Sequence, residues 1–447
     1  MRSERFGVPS NGVRARRVVA LAAALAVALG ALPSRAQEAF DDLLANLKSP
    51  TARTREEAAR KLGASHRREA VAPLSALVRD PEQRVRLEVV RALTALRDLS
   101  GIPALLTSLQ DGDPGVREEA ISAVVEVYCE RDRTSPVGRF LESFSDEYER
   151  SSVPPYTTVD PTVFHGLSGA LKDEKSGIRA DAAYAIGILG GGSSIPDLIT
   201  ALKDPQGEVR AAAATALGKC GTAQDGRALI PLLADSDTTA RNRALQSIGV
   251  LRVHEAGPAL REMFVQHRRR ELGTRVLAAL ARTGDPAQTD LYKELLFSND
   301  PDQRRLAVEG LARIADPSML PAFKTDFQRE KNSDVRMAYG FGIVRLGDRA
   351  FLDSLVLSLG GTGLSAQHAK DLILELGPSL APDLYPYLAD RDPSVRGAVC
   401  DILAALGDTN APPKLTPLLA DSNSKVADRA NRAIEKLSKT GPAAPKP

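Results

Sequence analysis

The sequence contains no tryptophan, and only 4% of its 447 residues are aromatic. Sheet cores draw on aromatic and β-branched side chains, so this scarcity argues for helices whose core is alanine and leucine. Three cysteines, Cys129, Cys220 and Cys400, are too few and too widely spaced to form a disulfide framework. The five histidines, His66, His165, His254, His267 and His368, are scattered, and none has a second His or a Cys at metal-ligand spacing. There is no Gly-x-Ser-x-Gly elbow, no phosphate-cradling glycine loop after a strand and no Cys–His pair. The expectation is a protein with no catalytic residue, no cofactor and no metal. The pairs Asp111/Asp113, Asp235/Asp237 and Asp390/Asp392 resemble fragments of a cation site, but each falls at a turn where a helix-capping Asp is expected.

The longest apolar run, Val18 to Leu32, is also too short to span a bilayer. It follows the basic cluster Arg14, Arg16 and Arg17 and precedes Ser34-Arg35-Ala36, which is the order of a secretory signal peptide over residues 1–36. The expected location is therefore periplasmic or secreted, with no stable membrane insertion once the leader is removed. The whole chain has a net charge of +2, but residues 1–36 hold six arginines and one glutamate, so the mature chain is at −3. A mildly acidic chain has no electrostatic case for nucleic-acid binding.

What is present is a repeated phrase. DEKSGIRADAAYAIG, DPQGEVRAAAATALG and DSDTTARNRALQSIG begin at Asp173, Asp204 and Asp235, spaced by 31 residues. In the middle copy Val209, Ala212, Ala213, Ala216, Leu217 and Cys220 form one helical stripe. Asp204 is the expected N-cap, and Gly218 and Gly221 mark the end. An alanine-rich stripe suits a helix with a closely stacked neighbour. The preceding SSIPDLITALKD reads as a second helix, so the unit is a helical hairpin. Arg55, Arg86, Arg117, Arg179, Arg210 and Arg241 keep the 31-residue register, as do Arg305 with Arg336 and Arg396 with Ala427. A fixed period of this length means a stacked repeat array. The spacing predicts an all-α fold, a stacked array of about twelve hairpins, with looser register around 250–300 and 350–380. Cys129 and Cys220, about three layers apart, should not pair with each other.

The phrase IPDLITALKDPQGEVRAAAATALGKCG resembles the short bacterial HEAT repeat, also called phycobilisome-lyase-type. The matching features are Ile-Pro opening the first helix, Asp-Pro at the turn, Val-Arg in the second helix and Ala/Leu followed by Gly at its close. The resemblance covers nearly the whole mature chain. It implies a curved α-solenoid, a superhelix whose second helices line a concave face, and that the recurrent Asp and Arg bond to each other and to adjacent repeats. On that reading Arg86, Arg117, Arg179, Arg210, Arg241, Arg336, Arg396 and Asp204 form a structural ladder.

The array divides into repeats at 37–131 and 161–438, with an irregular, aromatic-rich insertion or degenerate repeat at 132–160 and a Pro/Gly/Ala-rich tail at 439–447. The insertion and its edges hold six of the nineteen aromatics. Phe140, Phe144, Tyr148 and Tyr156 there, with Arg243 and Gln246 beside the stripe of a second helix, are the candidate contacts for a protein or peptide partner. The basic run His267 to Arg270 reads as a solvated helix end, with recognition of an acidic partner as the alternative. The function expected is that of an exported, non-enzymatic binding scaffold. One alternative is a lyase-like or chaperone-like protein handling a tetrapyrrole, which rests on the repeat type alone. Another, nucleic-acid binding, is disfavoured by the mature charge.

Overall fold

The computed structural model describes residues 35–129, 158–361 and 363–439. The chain divides into two compact units, 1–127 and 128–447. The described residues form helices and turns, and no strand occurs among them. The first unit contains the hairpins α1 (Arg35–Asn46) with α2 (Ala52–Ala64), α3 (Val71–Ser75) with α4 (Gln83–Leu96), and α5 (Ile102–Ser108) with α6 (Pro114–Tyr128). In the second unit, α7 (Pro161–Ala170) pairs with α8 (Ser176–Leu189), and α9 (Ile195–Ala201) with α10 (Gly207–Cys220). Next come α11 (Ala223–Gly226) with α12 (Thr238–Leu251), α13 (Gly257–His267) with α14 (Glu271–Thr283), and α15 (Thr289–Leu295) with α16 (Pro301–Ile314). The series ends with α17 (Leu320–Arg329) and α18 (Ser333–Arg345), α19 (Asp353–Val356) and α20 (Leu364–Leu376), α21 (Ala381–Leu384) and α22 (Pro393–Leu406), and α23 (Pro412–Leu415) and α24 (Ser424–Lys439). Twelve hairpins are thus described, and each unit is an α-solenoid stacked in chain order. Cys129, Cys220 and Cys400 form no disulfide with one another.

The alanines of α10 answer to crowding on both sides. Every residue from Ala211 to Leu217 is buried, so the helix is enclosed beyond the single stripe that its periodicity suggests. The even-numbered helices of neighbouring hairpins approach so closely that side chains must be small. A Cβ on Gly63 of α2 would lie 2.6 Å from the Ala92 Cα of α4, and one on Gly218 would meet the Ser247 Oγ of α12 at 2.4 Å. The odd-numbered helices are less regular. After α11, α21 and α23 the chain tightens into 3-10 turns at Arg227–Ala234, Tyr385–Ala389 and Thr416–Ala420. Pro231, Pro386 and Pro417 lie in those turns and remove the N–H that an α-helical turn would use.

A second set of contacts ties each hairpin to the next. Arg179 donates from Nε and Nη2 to the Asp204 carboxylate at 2.7 and 2.9 Å. Its Nη1 donates to the carbonyls of Asp173 and Glu174. Asp204 then accepts the Gln206 N–H on the same carboxylate and offers its own carbonyl to Arg210 at 2.8 Å. Arg55–Asp80, Arg86–Asp111, Arg210–Asp235 and Arg396–Asp421 repeat this geometry with the same offset of 25 residues. Burial would raise the Asp204 carboxyl, but the Arg179 hydrogen bond, the Gln206 N–H and the two arginine charges outweigh it and hold the group below its ordinary range.

Several sequence expectations need correction against this ladder. Asp204 is not the N-cap of α10. Gln206 occupies that position without a side-chain bond, because the Asp204 carboxylate is already committed to Arg179. In the Asp-x-Asp pairs the two residues divide the work. Asp235 and Asp390 accept the N–H of Asp237 and Asp392, and these second aspartates cap α12 and α22. The register also slips by one residue at α16. Arg304, not Arg305, makes the rung, pairing with Glu330 at 3.0 Å and with the Ser298 carbonyl. Arg336 stands outside the ladder, because the residue 25 further on is Gly361, which has no carboxylate. Its guanidinium instead lies 4.9 Å from the Phe327 ring centre. Arg241 keeps the carbonyl half of a rung, at Asp235, but Gln266 occupies the carboxylate position and the buried Arg241 Nε has no partner. Arg117 bonds the carbonyls of Asp111 and Gly112.

Candidate partner-binding face

Within the second unit, two places on the even-numbered helices gather polar side chains from different repeats. The first centres on α10. Tyr184 of α8 and Arg243 of α12 flank its alanines from either side, and Arg243 donates to the Gln246 Oε1 at 3.2 Å. Burial raises the Tyr184 hydroxyl above its ordinary value, with the Arg243 charge opposing and Asp181 and Glu208 reinforcing the rise. Asp181 of α8, Glu208 of α10 and Arg243 of α12, from three successive second helices, are thus near enough for their charges to act on the Tyr184 hydroxyl. Of the candidate contacts, Arg243 and Gln246 lie here, together. Phe140, Phe144, Tyr148 and Tyr156, with the rest of the proposed insertion up to residue 157, fall outside the described residues, as do residues 1–34 of the proposed leader.

The second place was not anticipated. Glu309 of α16 is 2% exposed. Its Oε1 is 2.8 Å from His368 Nε2 and accepts from Arg305 Nη1 at 2.9 Å, while Oε2 accepts from Arg313 Nη1 at 3.1 Å. Burial alone would raise this carboxyl. The His368 hydrogen bond and the charges of Arg313, His368 and Arg305 reverse that and hold it well below the usual carboxylate range. Arg313 reaches on to Glu375 of α20, donating from Nε at 3.0 Å and from Nη2 at 2.9 Å. Glu375 also accepts from Arg252 at the end of α12 at 3.1 Å, and the Arg345 Nη1 stands 3.9 Å away. Arg313 and Arg345 both lie within 6 Å of the buried Phe341 ring of α18.

The sequence carried one signal of this cluster. Leu306, Glu309, Gly310 and Arg313 follow the i, i+3, i+4, i+7 pattern of a buried stripe, so a glutamate occupies a core position with arginines four residues on either side. The partners could not be read. His368 and Glu375 come from α20, two hairpins on, and reach α16 past the intervening α18.

Residues 40–125 and 164–249 match the family described as HEAT repeats. No curated protein matches the chain. Among solved structures, an engineered protein is 19% identical, with 89% of this chain and 98% of that one covered and a TM-score of 0.35. YibA of Escherichia coli is 18% identical, covering 63% and 97%, with a TM-score of 0.40. The complex of CpcE and CpcF of phycocyanin lyase from Nostoc sp. PCC7120 is 19% identical, covering 62% and 94%, with a TM-score of 0.32.

Proposed function

We propose, from the premise that residues 40–125 and 164–249 are HEAT repeats, that this chain is an exported, non-enzymatic scaffold that holds a protein or peptide partner across its even-numbered helices. The observation that carries this is the meeting of Tyr184, Arg243 and Gln246 over the alanine floor of α10. A surface assembled from three repeats can grip an extended partner without a closed pocket. The Glu309 cluster fits the same reading. A carboxylate bonded to His368, Arg305 and Arg313 at once is a brace between helices, whereas a general base needs access to a substrate proton. Export rests on the leader-like order of residues 14–36, and the segment 132–160 would add a second contact. No helix among the described residues is long and apolar enough to cross a membrane.

The test is site-specific photo-crosslinking in cells, with the reactive residue at Gln246 and, as control, at the exposed Arg261 of α13. Protein adducts from position 246 that are absent from position 261, recovered from a periplasmic or culture-medium fraction, are expected. Adducts restricted to position 261, or found only in cytoplasm, would overturn the reading. New visible absorbance after incubating the purified protein with a bilin would favour a chromophore-handling role instead.

A further inference from the structure

The 31-residue register carries Tyr184, Thr215 and Arg243 forward by six periods to Lys370, Asp401 and Arg429. The two places share a backbone plan and differ in whether their floor is open. On α10, Ala212 is fully buried and Thr215 is 7% exposed. On α22 the equivalent Ala398 and Asp401 are only half-buried, and above them lies a groove of about 500 Å³ with α20 as one wall and α24 as the other. The reason is visible in the commitments of α20. Its His368 and Glu375 are bonded to α16, whereas no hydrogen bond or ion pair among the described residues joins its side chains to those of α22. The ladder is also missing here, since Ser365 stands where the arginine that would pair with Asp390 is expected.

The lining of the groove specifies a charge. Lys370 stands on the α20 wall, and Lys425 and Arg429 on the α24 wall. Asp401 is the one carboxylate among the described residues that line the groove, 3.6 Å from Arg429. Lys370 and Lys425 have no ion-pair partner among the described residues. The first turns of α22 and α24 open onto the same space; the Asp392 carboxylate caps the α22 end, whereas the α24 end is capped by the neutral Asn423 and adds to the positive potential. Gln367 and Ser394 supply neutral hydrogen-bonding groups of the kind that pair with a peptide backbone. No aromatic ring among the described residues lines the groove, which disfavours single-stranded nucleic acid, whose bases stack on such rings.

We infer that the groove between α20 and α24, floored by α22, is a docking site for an extended acidic segment of a protein partner. This rests on the scaffold reading above and names the chemistry of one of its contacts. Long-range attraction brings the segment in, and its carboxylates pair with Lys370, Lys425 and Arg429 while its backbone lies over Ala398.

The full chain is titrated with a fluorescein-labelled octaglutamate peptide, and fluorescence anisotropy is read at low and at physiological salt. The comparison proteins are the triple variant Lys370→Glu, Lys425→Glu, Arg429→Glu and a control triple variant Arg268→Glu, Arg269→Glu, Arg270→Glu. Loss of at least tenfold in affinity is expected in the groove variant, with the control within twofold of the parent and binding weakened by salt. A second variant, Ala398→Phe, fills the floor without changing charge and should also weaken binding, with circular dichroism confirming that it folds. Equal binding by the parent and the groove variant, equal loss in the control, or tighter binding of labelled oligothymidine than of octaglutamate would each overturn the inference. If octaglutamate fails to bind while crosslinks from position 246 persist, this site is wrong and the scaffold reading stands.

Discussion

At Arg210 one guanidinium makes four hydrogen bonds, two to the Asp235 carboxylate and two to the carbonyls of Asp204 and Pro205. The two side chains are 15% and 9% exposed, so solvent screens the pair only in part. Removing the arginine strands a mostly buried carboxylate and two carbonyls. Arg210→Ala is expected to cost about 1–2 kcal/mol, below the value for a fully enclosed pair because the rung lies near the surface. Arg336→Ala provides the contrast. That side chain is exposed and lies against the Phe327 ring, with no hydrogen bond or ion pair among the described residues, so its loss should cost about 0.5 kcal/mol or less. Urea unfolding of both variants checks this. Equal destabilisation would mean that the sequence register alone, and not the carboxylate 25 residues on, decides which arginine matters.

The helix is the scale at which the Glu309 cluster acts. Four second helices, α12, α16, α18 and α20, place charged or aromatic groups around Glu309 and Glu375. Glu309→Ala leaves Arg313, whose side chain is 5% exposed, with Glu375 alone and removes the acceptor of His368. The expected loss is about 3 kcal/mol, the lower end for breaking a buried pair, since Arg313 keeps one partner. Glu309→Gln should lose less, because it retains an oxygen acceptor. Chemical denaturation that found both variants as stable as the parent would contradict the role of a brace. This is also where the sequence stops being informative. The hairpins were legible because each is built from contacts within one period, and alanine at Ala211–Leu217 announces a close neighbour. The cap at Gln206 was not, because Asp204 looks like a capping residue until its bond to Arg179 is known. His368 looked isolated for a similar reason. Its partner Glu309 is 59 residues away, and nothing local says that α20 reaches past α18.

Across the whole molecule, cohesion is a sum of neighbour contacts, so it should vary where those contacts lapse. Within the second unit two hairpins have no complete rung on either side. For α13/α14, Gln266 replaces the carboxylate that Arg241 would need, and Leu272 stands where the next arginine would be. For α19/α20, Gly361 and Ser365 are the corresponding gaps. The two hairpins are not equivalent, because α20 is tied back to α16 through His368 and Glu375. Native-state hydrogen exchange read by mass spectrometry should therefore show α13/α14 exchanging before α8, α10 and α12, with α20 more protected than its missing rungs alone would allow. In Glu309→Ala the amides of Leu364–Leu376 should lose that protection while those of Gly207–Cys220 keep theirs. If Leu364–Leu376 were unaffected, the long reach from α20 to α16 would be incidental to the stack. If both segments loosened together, the unit would unfold as one cooperative body and the ladder would not set its local stability.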